Sequence, residues 1–221
     1  MKVKYFFLFF LIGYHVFSQL PEGFVYAETI IPNLEVELRY YSTINFVGKR
    51  IDGYLSDTLI ITNETALALK KVQAELYLKN LSLRIYDGYR PQRAVNHFIF
   101  WARELNDTLN KRVFYPNVAK KDLFKEEYIA SKSGHSKGST VDLTIVDIIT
   151  KTPLDMGSCY DFFGKESWVN YKGISEKQKS NRQLLQKVML KHGFRNYPKE
   201  WWHFTLRNEP FQDTYFDFVI K

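Results

Sequence analysis

Hydrophobic and polar residues follow regular patterns in a few well-separated windows of the chain. Leu34-Glu-Val-Glu-Leu38 alternates with period two, as a half-buried strand does. From Asn63 to Leu78, the residues Leu69, Val72 and Leu76 fall on one helical face, and Thr62 or Asn63 can cap the first turn. Leu81 to Asp87 reads as a strand, and Gly88-Tyr89-Arg90-Pro91 leads into a second helix with Ala94, Phe98, Trp101 and Leu105 on its apolar face. Pro91 suits the first helical position, and the residue before a proline is pushed out of the α region. Arg90 should therefore sit in an extended junction with its side chain free to enter a cleft.

Beyond a charged connection, Thr140 to Ile145 alternates again. Val141, Leu143 and Ile145 point one way and Thr140, Asp142 and Thr144 the other. A third helix is expected over Glu176 to His192, with Leu184, Val188 and Met189 buried and Gly193 as its stop. Two final strands are expected at Trp201 to Leu206 and Tyr215 to Ile220. Strands and helices mix without regular βαβ alternation, which predicts an α+β domain around a mainly antiparallel sheet flanked by helices.

Composition changes this picture little in the body of the chain and a good deal at its start. A chain of 221 residues with 45% hydrophobic content can bury a sizeable core, and no repeat or linker divides residues 19 to 221. At the start, Lys2 and Lys4 precede an apolar run from Tyr5 to Phe17, and Val16-Phe17-Ser18 offers a cleavage site before Gln19. Residues 1–18 are therefore expected to be a signal peptide, and the protein to be exported, to the periplasm. The run falls short of the roughly 20 apolar residues of a membrane span. The formal charge of +7 drops by two when Lys2 and Lys4 leave, and the remaining cations are scattered among acids, so nucleic acid is not an expected partner. Cys159 is the only cysteine, so no intrachain disulfide can form and stability must come from packing or a metal.

Two short strings concentrate the candidate chemistry. Ser131-Lys-Ser-Gly-His-Ser-Lys-Gly-Ser-Thr-Val-Asp142 places a histidine and an aspartate seven residues apart, and Glu200-Trp-Trp-His203 follows. Zinc hydrolysis needs three protein ligands, an open position for water and a carboxylate that manages protons. His135, Asp142 and His203 can supply the ligands, and Glu200 the general base. Residues three apart on a strand face opposite sides, so Glu200 reaches such a site only if the chain turns or bulges at Trp201-Trp202. Two other chemistries remain open on residue types alone: Ser133 or Ser136 with His135 and Asp142 as a serine triad, and Cys159 as a nucleophile. His97 and His192 lie on helices and read as structural, as do Arg84 and Asp87, which suit surface ion pairs.

Taken together, Ser133-Gly-His-Ser-Lys-Gly-Ser-Thr-Val-Asp142, Glu200-Trp-Trp-His203 and Tyr86-Asp-Gly-Tyr-Arg-Pro91 resemble the D-alanyl-D-alanine dipeptidases of the vancomycin-resistance type, within the zinc D,D-peptidase group. The likeness extends to Leu38-Arg-Tyr40, Asp161-Phe162 and Gly193-Phe-Arg-Asn-Tyr-Pro198, and so spans essentially the whole mature chain. It implies zinc on His135, Asp142 and His203, Glu200 as base, and Arg90 as the group that stabilises the transition state. Tyr40, Ser133 and Asp161 would build the substrate pocket, with Asp161 for the substrate's ammonium. The implied reaction is zinc-dependent hydrolysis of D-alanyl-D-alanine. The alternatives are an exported D,D-carboxypeptidase or endopeptidase that trims peptidoglycan stems, and a non-catalytic zinc or cell-wall binding module. Thr140 departs from the alanine common in that group, which would narrow or rigidify the site wall. Export departs from the cytoplasmic resistance enzymes.

Overall fold

The computed structural model describes residues 20–221, so the signal segment read at residues 1–18 lies outside the described residues. Strand β1 (Phe24–Tyr26), helix α1 (Ala27–Ile30), β2 (Glu35–Val36) and β3 (Ile60–Thr62) precede helix α2 (Asn63–Tyr77). Strand β4 (Leu81–Asp87), α3 (Gln92–Arg103), α4 (Lys111–Phe114), β5 (Thr140–Asp147), α5 (Glu176–Lys191), β6 (Phe194–Tyr197) and β7 (Glu200–Leu206) follow. The main sheet runs β2-β4-β5-β7-β6, antiparallel throughout except for the β2–β4 pair, and β1 and β3 form a separate antiparallel ribbon. This is the expected α+β architecture.

The alternation in β5 works differently from that of an ordinary half-exposed strand. Every residue from Thr140 to Val146 is buried, because β4 and β7 pair with it on either side and both faces are covered. Its apolar face, with Val141, Leu143 and Ile145, belongs to the hydrophobic core. The helices α2 and α5 pack on each other and on the sheet, and α2 contributes Leu69, Val72 and Leu76, all fully buried. Truncating one of these, as in Leu69→Ala, costs about 2–5 kcal/mol. The polar face with Asp142 turns toward an aromatic layer in which Tyr40 packs against Phe46, Phe98 and Tyr160.

Local sequence chemistry explains the element ends. Ser175 caps α5 through a reciprocal box, its hydroxyl accepting from the Gln178 amide at 3.2 Å while the Gln178 side chain accepts from the Ser175 amide at 2.8 Å. Gly193 ends the helix region with φ +93°, a conformation only glycine adopts without strain. Thr62 precedes α2, but its hydroxyl bonds the Thr65 and Ser139 hydroxyls at 2.7 and 2.9 Å rather than a helix amide.

Several expectations are corrected. The strand read over Leu34–Leu38 shrinks to the two residues of β2. Pro91 is the residue before α3 rather than its first turn, and Leu105 lies beyond the helix and is exposed. In α5 it is Leu185 that is fully buried, with Leu184 only half-buried. Tyr215–Ile220 forms no strand: its amides and carbonyls bond loops, such as Phe216 N–H to Ser136 O at 2.9 Å, and Ile220 makes one bridge to Tyr54. The aromatic rings of this tail, Phe216 and Phe218, pack on Phe24 instead. Among the described residues, no helix is long and apolar enough to cross a membrane.

Candidate metal centre

Three adjacent strands place three polar side chains side by side. Asp142 on β5 is the register partner of Asp87 on β4 and of His203 on β7. Direct cross-strand partners project from the same face, so sheet pairing alone brings together residues far apart in sequence. A fourth group, His135, comes from a short 3-10 turn over Gly134–Lys137 that leads into β5. The Ser133 hydroxyl accepts from the His135 amide at 3.3 Å, and Gly138 ends the turn at φ +81°. A Cβ at Gly138 would meet the Phe24 ring at 2.3 Å, so glycine is required there on two counts.

The His135 ring is oriented by the backbone. Its Nδ1 lies 2.8 Å from the Gly88 carbonyl, so Nδ1 carries the hydrogen and Nε2 presents its lone pair. Nε2 is 3.3 Å from Asp142 Oδ2 and 3.4 Å from His203 Nδ1, and His203 Nδ1 is 3.0 Å from Asp142 Oδ1. Donors bonded to a tetrahedral zinc at about 2.0–2.2 Å stand roughly 3.3–3.6 Å apart, so the 3.3 and 3.4 Å spacings suit one ion and the 3.0 Å spacing needs only a small opening. The state of Asp142 points the same way. Its Oδ2 accepts from the Tyr160 hydroxyl at 3.0 Å, whereas Oδ1, fully buried, has no hydrogen-bond donor aligned on it among the described residues. A buried carboxylate oxygen so placed is costly unless a cation lies beside it, either a metal ion or the protonated His203 ring 3.0 Å away. The donor set of two imidazoles and a carboxylate therefore fits zinc.

Electrostatics bind the cluster together. Burial raises the Asp142 carboxyl, but the neighbouring His135 and His203 outweigh that and hold it well below the usual carboxylate range. Burial likewise pulls the His203 imidazole down, and the Asp142 and Glu200 carboxylates more than offset it, pushing it up to about 10 in the metal-free site. A proton and a zinc ion thus compete for the same nitrogen.

Glu200 reaches the cluster as the bulge reading requires. Tyr197 of β6 pairs with Glu200 while its neighbour Asn196 pairs with Phe204, so Trp201, Trp202 and His203 bulge between two successive rungs. Glu200 Oε2 ends 3.3 Å from His203 Nδ1. Arg90 leaves the extended junction as expected and enters the cavity. Its guanidinium donates to Asp87 Oδ2 at 2.8 Å, lies 3.5 Å from Asp142 Oδ2, and covers the Tyr40 ring at 5.0 Å.

Tyr40, Ser133 and Asp161 all line the same cavity, about 340 Å³ in volume, at the small end of the roughly 300–1,000 Å³ of small-molecule pockets. Tyr40 donates to Asp161 Oδ2 at 2.9 Å. Burial, and then the Asp142 charge, push the Asp161 carboxyl well above its ordinary range. Thr140 itself does not line the cavity: its hydroxyl is 2.9 Å from that of Thr205, and its Oγ1 would stand 2.8 Å from a Cβ at Gly134, which does line it.

Two functional neighbours escape sequence reasoning. Asp87 makes no surface pair; it is fully buried, accepts from Tyr54 at 2.6 Å and from Arg90, and lies 3.4 Å from His135 Nδ1. Its position three residues before Arg90 in the Tyr86–Pro91 string was the available signal. Tyr160, which bonds Asp142, had none. The remaining expectations hold: Arg84 pairs with Glu35 and Glu37, His97 accepts from the Asp52 amide, and His192 pairs with Glu75. Neither alternative nucleophile survives. The Ser133 hydroxyl accepts from the His135 backbone amide, Ser136 Oγ bonds no histidine ring among the described residues, and the His135 nitrogens face the Gly88 carbonyl and the His203 ring. Cys159 lies outside the lining of this cavity and is exposed.

A carboxylate and two imidazoles converging beside a free carboxylate define a metal-dependent hydrolase. The Peptidase M15 family model, described as D-ala-D-ala dipeptidase, matches residues 21–221. A D-alanyl-D-alanine dipeptidase of Enterococcus faecalis is 38% identical over 202 residues, 91% of this chain and 100% of that protein. Another, of Streptomyces coelicolor, is 36% identical over 197 residues, 89% of this chain and 98% of its own. A solved vancomycin resistance D,D-pentapeptidase, VanY, in complex with Zn(II), is a remoter likeness: 17% identity and TM-score 0.42, covering 70% of this chain and 77% of that one. The chain belongs to the D-ala-D-ala dipeptidase family of metallopeptidases.

Proposed function

We propose that the protein hydrolyses the D-alanyl-D-alanine dipeptide to two molecules of D-alanine, using one zinc ion held by His135, Asp142 and His203. The observation that carries this reading is the buried Asp142 Oδ1 without a hydrogen bond, within 3.0 Å of His203 Nδ1 and beside the Glu200 carboxylate. When bound, zinc supplies Lewis-acid polarisation of the peptide carbonyl and lowers the pKa of water toward about 7. The chain's own residues do the rest. Glu200 takes the proton from the attacking water and returns it to the leaving amine as the peptide C–N bond breaks. Arg90, anchored on Asp87, presents a fixed cation to the oxygen on which negative charge accumulates. Asp161, held by Tyr40, faces the substrate's ammonium, and the small cavity discriminates by size and by unpaired buried charge. Tyr160 and Asp87 orient Asp142, Arg90 and His135 without touching substrate.

Residues 1–18 are proposed as a cleaved signal that sends the enzyme to the periplasm, where a free dipeptide would come from wall turnover. The test is D-alanine release by the zinc-loaded chain from Gln19 onward, comparing free D-Ala-D-Ala with an N-acylated peptide that ends in D-Ala-D-Ala. Cleavage confined to the free dipeptide is expected. Equal or better cleavage of the acylated peptide would replace the dipeptidase reading with a stem-trimming peptidase.

A further inference from the structure

A free dipeptide carries an anion as well as a cation, and the cavity must meet both. Six ionisable side chains line it besides the two histidines: Arg90, Lys132, Glu127, Asp142, Asp161 and Glu200. Most are committed. Asp142 belongs to the metal cluster, Glu200 to its proton chemistry, and Glu127 is ion-paired with Lys199. Arg90 is buried in a bond to Asp87 and covered by the Tyr40 and Phe98 rings. Lys132 is the remaining cation. It is exposed, it makes no ion pair among the described residues, and its ammonium rests only on the Tyr215 ring, 4.8 Å from the centroid.

Its backbone is well placed for a binding role. The Gln92 side chain donates to the Ser131 carbonyl at 3.1 Å, which pins the chain just before Lys132, and Ser133, the next residue, caps the turn that carries His135. An ammonium on a long stem at this point can swing from Tyr215 to an anion in the cavity while its Cα stays put. An aromatic ring holds an exposed cation more weakly than a hydrogen bond to a charged group does.

We infer that Lys132 binds the C-terminal carboxylate of the dipeptide substrate and so sets the preference for a free C-terminus. This rests on the dipeptidase reading and adds to it the cation that Asp161 cannot supply. Lys132 is a specificity determinant here and takes no part in bond making or proton transfer.

The experiment compares D-Ala-D-Ala with its C-terminal amide, D-Ala-D-Ala-NH2, which keeps the ammonium and the scissile bond and loses only the anion. The zinc-loaded wild-type chain and its Lys132→Met and Lys132→Arg variants are assayed for KM and kcat at low and high salt. Wild type is expected to favour the acid over the amide about tenfold in KM, with the advantage shrinking as salt rises. Lys132→Met should raise KM for the acid about tenfold, leave KM for the amide unchanged and so erase the preference, while Lys132→Arg should keep most of it. An undiminished preference in Lys132→Met would overturn the inference with the dipeptidase reading intact. A wild-type chain that cleaves neither compound would instead bring down that reading, and this assignment with it.

Discussion

The two walls of the catalytic cavity are built on different principles. One is sheet: Asp87, Asp142 and His203 stand on neighbouring strands, with Asp87 0% and Asp142 2% exposed, and each carboxylate there has several partners. The other is loop: Glu127 to Lys132 lies between a 3-10 turn and the His135 turn, and is joined to the hairpin of β6 and β7 by the exposed Glu127–Lys199 pair. Burial makes charges strong and positions exact, so the sheet wall suits bond making. Exposure makes charges weak and mobile, so the loop wall suits admitting and selecting substrate.

The sharpest way to break this contrast is Glu200→Ala. Turnover should fall by about 10²–10⁴ while one zinc per chain is retained, measured by D-alanine release alongside metal analysis. Turnover within tenfold of wild type would show that the sheet wall does not carry the proton chemistry. Next in size is Asp87→Asn, which keeps the shape of a residue that touches no substrate but removes the charge that anchors Arg90 and faces His135. A loss of about 10–100-fold in zinc affinity or in kcat is expected, read by competition with a chelator and by steady-state rates.

A smaller effect concerns pH. In the metal-free chain the His203 imidazole, raised from its ordinary 6.5 to about 10, stabilises the fold while protonated. That contribution is fully present below pH 6.5 and is lost as pH rises toward about 10. The melting temperature of the metal-free chain should therefore fall by a few degrees between pH 6.5 and 9, and this fall should be absent with zinc bound, because coordination requires the neutral ring. Parallel curves with and without zinc would contradict the competition at His203. Smallest of all should be Lys199→Met, which opens the loop wall: an exposed pair contributes about 0.2–1 kcal/mol, so kcat/KM should change by less than about fivefold. A larger loss would mean that the loop wall takes part in the chemistry after all.

Much of this arrangement could be read along the chain because its signals are local. The alternation in Thr140–Ile145 marks β5 and the facing of Asp142, and the proline after Arg90 marks the extended junction that frees its guanidinium. The incompatibility of a flat strand with a shared site for Glu200 and His203 demanded a bulge, and the register shift beside Tyr197 supplies it. What was missed lacked periodicity. The strands β1 and β3 are three residues each and β6 four, too short to show a pattern. The tail at Tyr215–Ile220 alternates like a strand, but no neighbouring strand edge takes its backbone groups, and aromatic packing on Phe24 and Tyr89 decides its course.

The sequence by itself determined the two histidines and the aspartate that could hold a metal, the carboxylate three residues before one of them, and the strand-to-helix junction of Arg90, because each depends on spacing or on backbone restrictions within a few residues. Only the tertiary structure decided that Asp87 is buried in the site rather than paired at the surface, that Tyr160 reaches Asp142, and which wall is rigid. Those outcomes depend on strand register and on the loss of water around a charge. Both arise between segments far apart in sequence, where no local pattern can report them.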